Sequence, residues 1–174
     1  MQPTDEEVTI AAEILSRLDK GFLPYQLFLQ FTRLVTTPTM EVAPIRVKDG
    51  VSEMYLTKRP DDDPHWPGQW HIPGTVIRST DEEGSFTSGF QRVLHDELGP
   101  HFQFVNDPVF VGVKFWDVRR GRELDMMHYV EVSVDEAGDL PGRFFPANAL
   151  PSDTLEHHKI MIPELFKAYH SRQA

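Results

Sequence analysis

The feature that most constrains this chain is a proline–glycine turn that is followed, after a polar loop, by a short acidic helix. Residues 68–74 (GQWHIPG) have the character of a short strand that is interrupted by a turn. Residues 86–98 are predicted to form the helix, directly before Gly99. Residues four apart lie on the same side of a helix, so Val93 and Glu97 are predicted to share one side.

Residues 92–99 (RVLHDELG) resemble the second half of the Nudix box, G-x5-E-x7-R-E-U-x-E-E-x-G-U, in which U is a large apolar residue. Asp96 replaces the first glutamate of the E-E pair, and Val93 stands where the motif has the glutamate that follows its arginine. The segment GQWHIPG also resembles the G-x-W-x-U-P-G-G sequence that precedes the box, with Thr75 in place of the second glycine.

The resemblance implies an α/β fold, a Nudix-like α/β/α sandwich with a mixed sheet. Residues 40–169 are predicted to form its core and residues 1–37 an N-terminal helical extension, so that residues 1–174 make a single domain. Two extended runs separated by Asp49-Gly50 predict a hairpin within this core. An unrelated mixed α/β domain is the alternative.

For the chemistry of this site, the family resemblance implies a divalent cation, Mg²⁺ or Mn²⁺, held by carboxylates of the box. Such a cation neutralises phosphate oxygens and polarises an attacking water. Glu97 is the first candidate ligand, Asp96 is the second, and Glu83 is a third candidate from the preceding loop. Arg92 completes the candidate catalytic set. The alternative for Asp96 and Glu97 is a solvated helix face on which Arg92 and Asp96 form an ion pair.

The loop before the box helix is longer than the motif allows. Eighteen positions separate Gly74 from Arg92, four more than in the family pattern. The first glutamate of the motif, which chiefly orients the arginine in the family, would fall on Gly84. Glu82 and Glu83 precede it and could reach Arg92 if the loop folds back; a solvated acidic turn is the alternative.

The candidate substrate-binding residues lie outside the box. Lys58 and Arg59 follow an extended run and could contact phosphates, although solvation is equally compatible with the sequence. Asp125 and His128 lie on a predicted strand near the mouth of the sheet, where members of the family place substrate or base residues.

Two functions follow from this interpretation. The first is a metal-dependent hydrolase of a small nucleoside-diphosphate-linked substrate. The second is a catalytically inactive Nudix-fold module that binds a nucleotide or another protein, because Val93 removes one metal ligand. Replacing Val93 with glutamate distinguishes them: hydrolysis that only the variant shows indicates a binding module, and turnover by the natural chain indicates an enzyme.

Composition limits the partners of the chain. The formal charge of −10 disfavours a nucleic acid polymer, whose phosphates need a basic surface, but a small phosphorylated substrate remains compatible through a bound cation. The absence of cysteine fits a cytoplasmic location, and the sequence has no apolar run long enough for a membrane helix.

The first forty residues predict two helices. Thr4 and Glu7 form a capping box, and apolar residues from Val8 to Leu18 recur at helical spacing, with Gly21 closing the helix. Pro24 opens the second helix. These helices are expected either to pack within the protomer or to form the surface of a homodimer.

Overall fold

A computed structural model describes residues 2–21, 23–135 and 139–173. The N-terminal helices are α1 (Asp5–Ser16) and α2 (Tyr25–Leu34), and the terminal helix is α4 (Glu156–Gln173). The box helix is made of α3 (Thr87–Arg92) and a π-helical segment, Val93–Leu98. The strands are β1 (Thr37–Lys48), β2 (Val51–Lys58), β3 (Trp70–His71), β4 (Gly74–Val76), β5 (Phe102–Phe104), β6 (Val109–Val118), β7 (Gly121–Val134) and β8 (Gly142–Pro146).

The strands form a mixed sheet in the order β3-β2-β1-β7-β5, with β8 on β2, β4 on β1 and β6 on β7. The pair β1 and β7 is parallel, and the other pairs are antiparallel. The predicted hairpin at Asp49-Gly50 is confirmed, since both residues have positive φ, as a two-residue turn of this kind requires. The hairpin around Arg119-Arg120-Gly121 joins β6 and β7.

The two faces of the sheet bury separate apolar clusters, because side chains alternate along a strand. Ala43 and Ile45 of β1 face one cluster with Met127 and Tyr129 of β7 and the apolar side of α4. The opposite cluster contains the following residues of β1, β7 and the box helix: Met40, Val42, Val130, Val132, Val93 and Leu98. Helices therefore cover both faces, and the predicted α/β/α sandwich with an N-terminal helical extension is confirmed.

The N-terminal helices pack less than the sequence suggested. The capping box of α1 is present, but the helix ends at Ser16 instead of continuing to Gly21. Within α1, all of which the structure describes, no residue is buried, and Val8 is 52% exposed. α1 therefore adds no buried residue to the core, although Leu15 at its C-terminal end lines a cleft. In α2, Thr32 is buried and its hydroxyl donates to the Arg120 carbonyl at 2.7 Å.

The second half of the box helix, Val93–Leu98, is π-helical and therefore wound more widely than an α-helix. The Gly99 N–H donates to the Leu94 carbonyl at 2.9 Å, five residues back. The terminal helix is continuous from Glu156 to Gln173 and contains Pro163 within it. In the described part of the chain, no helix is both long and apolar enough to cross a membrane.

Candidate functional site

A cleft of about 720 Å³ opens between the N-terminal helices and the edge of the sheet. Its walls come from α2, β1, the turn around Gly74, the π-helical segment and the start of α4. The charged and titratable side chains in its lining include Glu41, Arg59, Glu97, Arg120, Glu123, His157 and His158. The box helix and the terminal helix, which are far apart in sequence, therefore contribute to one cavity.

Two carboxylates in this cleft come from different elements. Glu97 extends from the π-helical segment, and burial raises its pKa, an effect that Arg59 opposes and Asp96 reinforces. Glu41 extends from β1, and burial raises its pKa well above the usual value, with Asp125 as the next contributor. Glu123 raises the pKa of Glu41 further and Arg59 lowers it, while Glu97 makes the smallest contribution, as a like charge that raises this pKa.

Glu41 occupies space that only a glycine leaves open. It pairs with Gly74 across β1 and β4, and a Cβ on Gly74 would overlap the Glu41 carboxylate. The Oε2 atom of Glu41 is buried without a hydrogen-bond partner in the described ranges. An unpaired carboxylate oxygen in a cleft is available to a ligand or cation.

Val93, Asp96 and Glu83 do not line the cleft. Val93 is fully buried in the cluster that contains Met40 and Leu98, so it belongs to the core. Asp96 is exposed and lies 2.7 Å from the His95 ring nitrogen Nδ1. Glu83 is exposed in the loop, outside the cleft lining. Of the three predicted metal ligands, only Glu97 faces the cleft.

Arg92 is held by the loop before the helix. It forms an ion pair with Asp81, and its Nη2 donates to the Val76 carbonyl at 3.1 Å and to Asp81 Oδ2 at 2.8 Å. The Arg92 guanidinium lowers the pKa of Asp81. The longer loop does fold back onto the arginine, but Asp81 makes this contact rather than Glu82 or Glu83.

Two guanidinium groups lie in the cleft. Arg59 Nη1 donates to Asp63 Oδ2 at 3.0 Å, and Arg59 is close enough to affect the pKa of both Glu41 and Glu97. Arg120 forms an ion pair with Glu123. Both lie near the Trp66 ring, at 5.2 and 5.4 Å from its centroid. The neighbouring Lys58 is exposed, 6.0 Å from the Trp70 ring, and does not line the cleft.

Three groups converge at the strand and helix that flank Trp116. One potential ligand atom from each of Glu123, Asp125 and His157 lies within 4.8 Å of the other two. Burial raises the pKa of Asp125 to about 6, and burial lowers the pKa of His157 to about 4. At neutral pH the imidazole of His157 is therefore uncharged and can donate a lone pair.

Three further histidines make structural contacts. His71 is buried, with Nε2 at 3.0 Å from the Thr57 hydroxyl and Nδ1 at 2.9 Å from the Ile72 carbonyl. His158 Nδ1 accepts from the Ile72 N–H at 2.8 Å. His128 is buried against the rings of Phe86, Phe90 and Phe110, outside the cleft lining.

The sequence interpretation missed three residues. Glu123 could have been found, because it alternates with Asp125 and therefore shares its face of the strand. Asp81 lies in the inserted loop, for which the motif has no counterpart. Glu41 could not be recognised as a site residue from the sequence, because only the pairing of β1 with β4 places it beside Gly74.

Solved structures with similar folds were found at low sequence identity. The C-terminal domain of mouse MUTYH, solved in a complex with human PCNA, is 10% identical and superposes with a TM-score of 0.60 over 79% of this chain and 91% of that chain. The NUDIX domain of Shewanella oneidensis NrtR, solved with ADP ribose, is 15% identical, with a TM-score of 0.56 over 91% of this chain and 97% of that chain.

A mutT/nudix family protein from Listeria innocua is 19% identical, with a TM-score of 0.52 over 78% of this chain and 95% of that chain. No protein-family model and no curated protein matches the sequence. At these identities the similarity establishes the fold.

Proposed function

Starting from the Nudix fold of this chain, we propose that it is a metal-dependent hydrolase of a small molecule in which a diphosphate links a nucleoside to a second group. The observation that carries the proposal is that Glu41 and Glu97 line one cleft, where the buried Oε2 of Glu41 has no hydrogen-bond partner among the described residues. Glu41 supplies the second carboxylate that Val93 does not. A pair of carboxyl groups with raised pKa values in a cleft is typical of a functional site.

Glu97 and Glu41 would hold Mg²⁺ or Mn²⁺ in this proposal. The donor set fits, since both cations prefer oxygen ligands and often take only one or two protein carboxylates. The buried Oε2 of Glu41, which has no hydrogen-bond partner among the described residues, supports the assignment. The bound cation would neutralise phosphate oxygens and activate water. Glu41 replaces Asp96 and Glu83 in the ligand set, because those two face solvent.

The cations of the cleft have separate roles in the proposal. Arg59 and Arg120 would contact the diphosphate, since guanidinium groups recognise phosphate oxygens. Arg92, fixed by Asp81 and the Val76 carbonyl, would position the box helix and is a positioning residue. A cleft of about 720 Å³ lies within the usual range for small-molecule sites.

The proposal is tested by a turnover assay with Mg²⁺ or Mn²⁺. The panel contains ADP ribose, with which the NrtR domain was crystallised, a dinucleoside polyphosphate and nucleoside triphosphates. The expected result is release of a monophosphate from at least one compound, with turnover reduced at least about a hundredfold by Glu97→Gln and by Glu41→Gln. Asp117→Asn, on the exposed end of β6, is the control and should keep full turnover. Turnover that survives both glutamine variants would refute the assignment.

Binding without hydrolysis is the second candidate function. The complete burial of Val93 favours it, because this position is committed to the core and not to metal ligation. Titration calorimetry with the same compounds distinguishes the two functions. A ligand that binds with micromolar affinity, is weakened by Arg59→Gln and is never cleaved would establish the binding module. A cytoplasmic location and a homodimer through α1 and α2 remain predictions.

A further inference from the structure

A second group of possible cation ligands lies on the face of the sheet that α4 covers. Glu123 and Asp125 alternate on β7 with the same parity as Met127 and Tyr129, whose side chains pack against α4. His157 is in the first turn of α4. The topology therefore brings two carboxylates and an imidazole together, and one potential ligand atom from each lies within 4.8 Å of the others.

Asp125 carries an unused oxygen at this position. The residue is fully buried, and the Thr39 hydroxyl donates to its Oδ1, but Oδ2 has no hydrogen-bond partner within the described parts of the chain. The Trp116 indole lowers the pKa of Asp125 as a side-chain hydrogen-bond donor, although neither its Nε1 nor Asp125 Oδ2 makes a hydrogen bond of full geometry among the described residues. The Trp116 ring centroid is 5.9 Å from that of His157. A buried carboxylate oxygen without a partner is costly, and a cation at this point would remove the cost.

The spacing of the three groups suits one ion. A divalent metal holds nitrogen and oxygen ligands at about 2.0–2.2 Å, so two ligand atoms on one ion lie at most about 4.4 Å apart. The ligand atoms of the three residues lie within 4.8 Å of one another, so a small side-chain rotation would bring them to this spacing.

We propose that Glu123, Asp125 and His157 form a divalent-cation site of their own, which takes Mn²⁺ or Zn²⁺ in preference to Mg²⁺. The preference follows from the imidazole, a ligand that suits transition metals, whereas Mg²⁺ selects oxygen. This site adjoins Glu41, whose pKa Asp125 and Glu123 both raise, but its three ligands differ from the Glu41–Glu97 pair and it does not depend on the proposed hydrolysis.

Arg120 competes with the cation for Glu123. Its Nε donates to Glu123 Oε1 at 2.8 Å, and the guanidinium also forms the ion pair described above. Burial is the largest cause of the lowered pKa of His157, and the charges of Arg120 and Arg59 lower it further. Removing the Arg120 charge should therefore release a ligand oxygen and strengthen metal binding, an effect that misfolding cannot imitate.

The test is a Mn²⁺ titration of the full chain after treatment with a chelator, followed by electron paramagnetic resonance and calorimetry. Asp125→Asn and His157→Asn should each weaken Mn²⁺ binding at least about tenfold, and Arg120→Gln should strengthen it by about tenfold. His170→Asn on the exposed end of α4 and Asp117→Asn on β6 are the matched controls and should bind as the natural chain does.

Each outcome decides for or against the site. Loss of Mn²⁺ binding in Asp125→Asn and His157→Asn, with normal circular dichroism and unchanged controls, supports it. Equal affinity for Mg²⁺ and Mn²⁺, or binding that only Glu97→Gln removes, would overturn it. In the second case the Glu41–Glu97 proposal would stand alone, so the two proposals fail independently.

Discussion

The Glu41 carboxylate lies against the α-carbon of Gly74, where any side chain on residue 74 would overlap it. The antiparallel pairing of β1 with β4 creates this contact, and it directs Glu41 into the cleft that Glu97 also lines. Gly74 therefore makes room for a buried acid, which is a physical reason for glycine at this position of the turn.

Gly74→Ala should destabilise the protein by about 1–3 kcal/mol, the usual cost of overpacking a closed site. The same change in a Glu41→Ala background should cost close to nothing, because the overlapping carboxylate is gone. Urea unfolding of the four proteins measures the coupling free energy.

Gly112→Ala is the matched control for this cycle. Its added methyl group would meet only the Met127 side chain, at an ordinary contact distance of 3.7 Å. A Gly74→Ala penalty that stays the same when Glu41 is removed would contradict the contact.

Asp81→Asn should lower the free energy of unfolding by about 1–3 kcal/mol at pH 7, because it removes a charge-assisted contact with Arg92. The Arg92 contact holds the pKa of Asp81 below its usual value. The folded pKa is therefore the lower one, so the stabilisation is present above about pH 4 and is lost as the pH falls through the folded value. Urea titrations at pH 7 and pH 3 should show the difference shrinking; a difference independent of pH would contradict the ion pair.

Val93→Glu should destabilise the protein by at least about 3 kcal/mol and should not increase hydrolysis above that of the natural chain. Val93 is fully buried between the box helix and the sheet, so the new carboxylate would be buried without a partner. Val113→Glu on β6, where the native side chain is 48% exposed, is the control and should be nearly neutral. Thermal unfolding together with the turnover assay checks both points. A stable Val93→Glu variant with new activity would show that residue 93 faces the cleft.

Acid should destabilise the protein partly through His157. Its pKa is about 4 in the folded chain and close to 6.5 when unfolded, so its stabilising contribution is complete above pH 6.5 and is lost as the pH falls towards 4. His71, with a folded pKa of about 3, also makes stability fall as the pH falls. Asp125 has a pKa raised to about 6, so its contribution to stability changes with pH in the opposite direction. His157→Gln should reduce the slope of stability against pH in this window by up to about 1.4 kcal/mol per pH unit. A slope equal to that of His170→Gln would contradict this.

Local patterns in the sequence predicted much of the fold. Asp49-Gly50 specifies a hairpin turn by its own backbone preferences, and Thr4 with Glu7 specifies a helix start by reciprocal hydrogen bonds. The packing of α1 was not predictable in this way, because helical spacing shows an apolar side without showing whether the domain covers it.

The candidate site was less accessible to sequence reasoning, because its members meet through long-range pairing. Glu97 was identified from the motif, but Glu41 reaches the same cleft through β1 and β4, and His157 reaches Asp125 through α4. The π-helical winding of residues 93–98 could not be predicted from the motif either, because the prediction assumed regular α-helical spacing. The sequence therefore indicated the region of the site but not the set of residues in it.

Anomalous diffraction from crystals soaked in Mn²⁺ is the sharpest test of the Glu41–Glu97 metal site. We expect a peak between the Glu41 and Glu97 carboxylates that disappears in Glu41→Gln crystals. A well-ordered cleft that shows no peak at these two residues, while the natural chain cleaves a diphosphate, would contradict it.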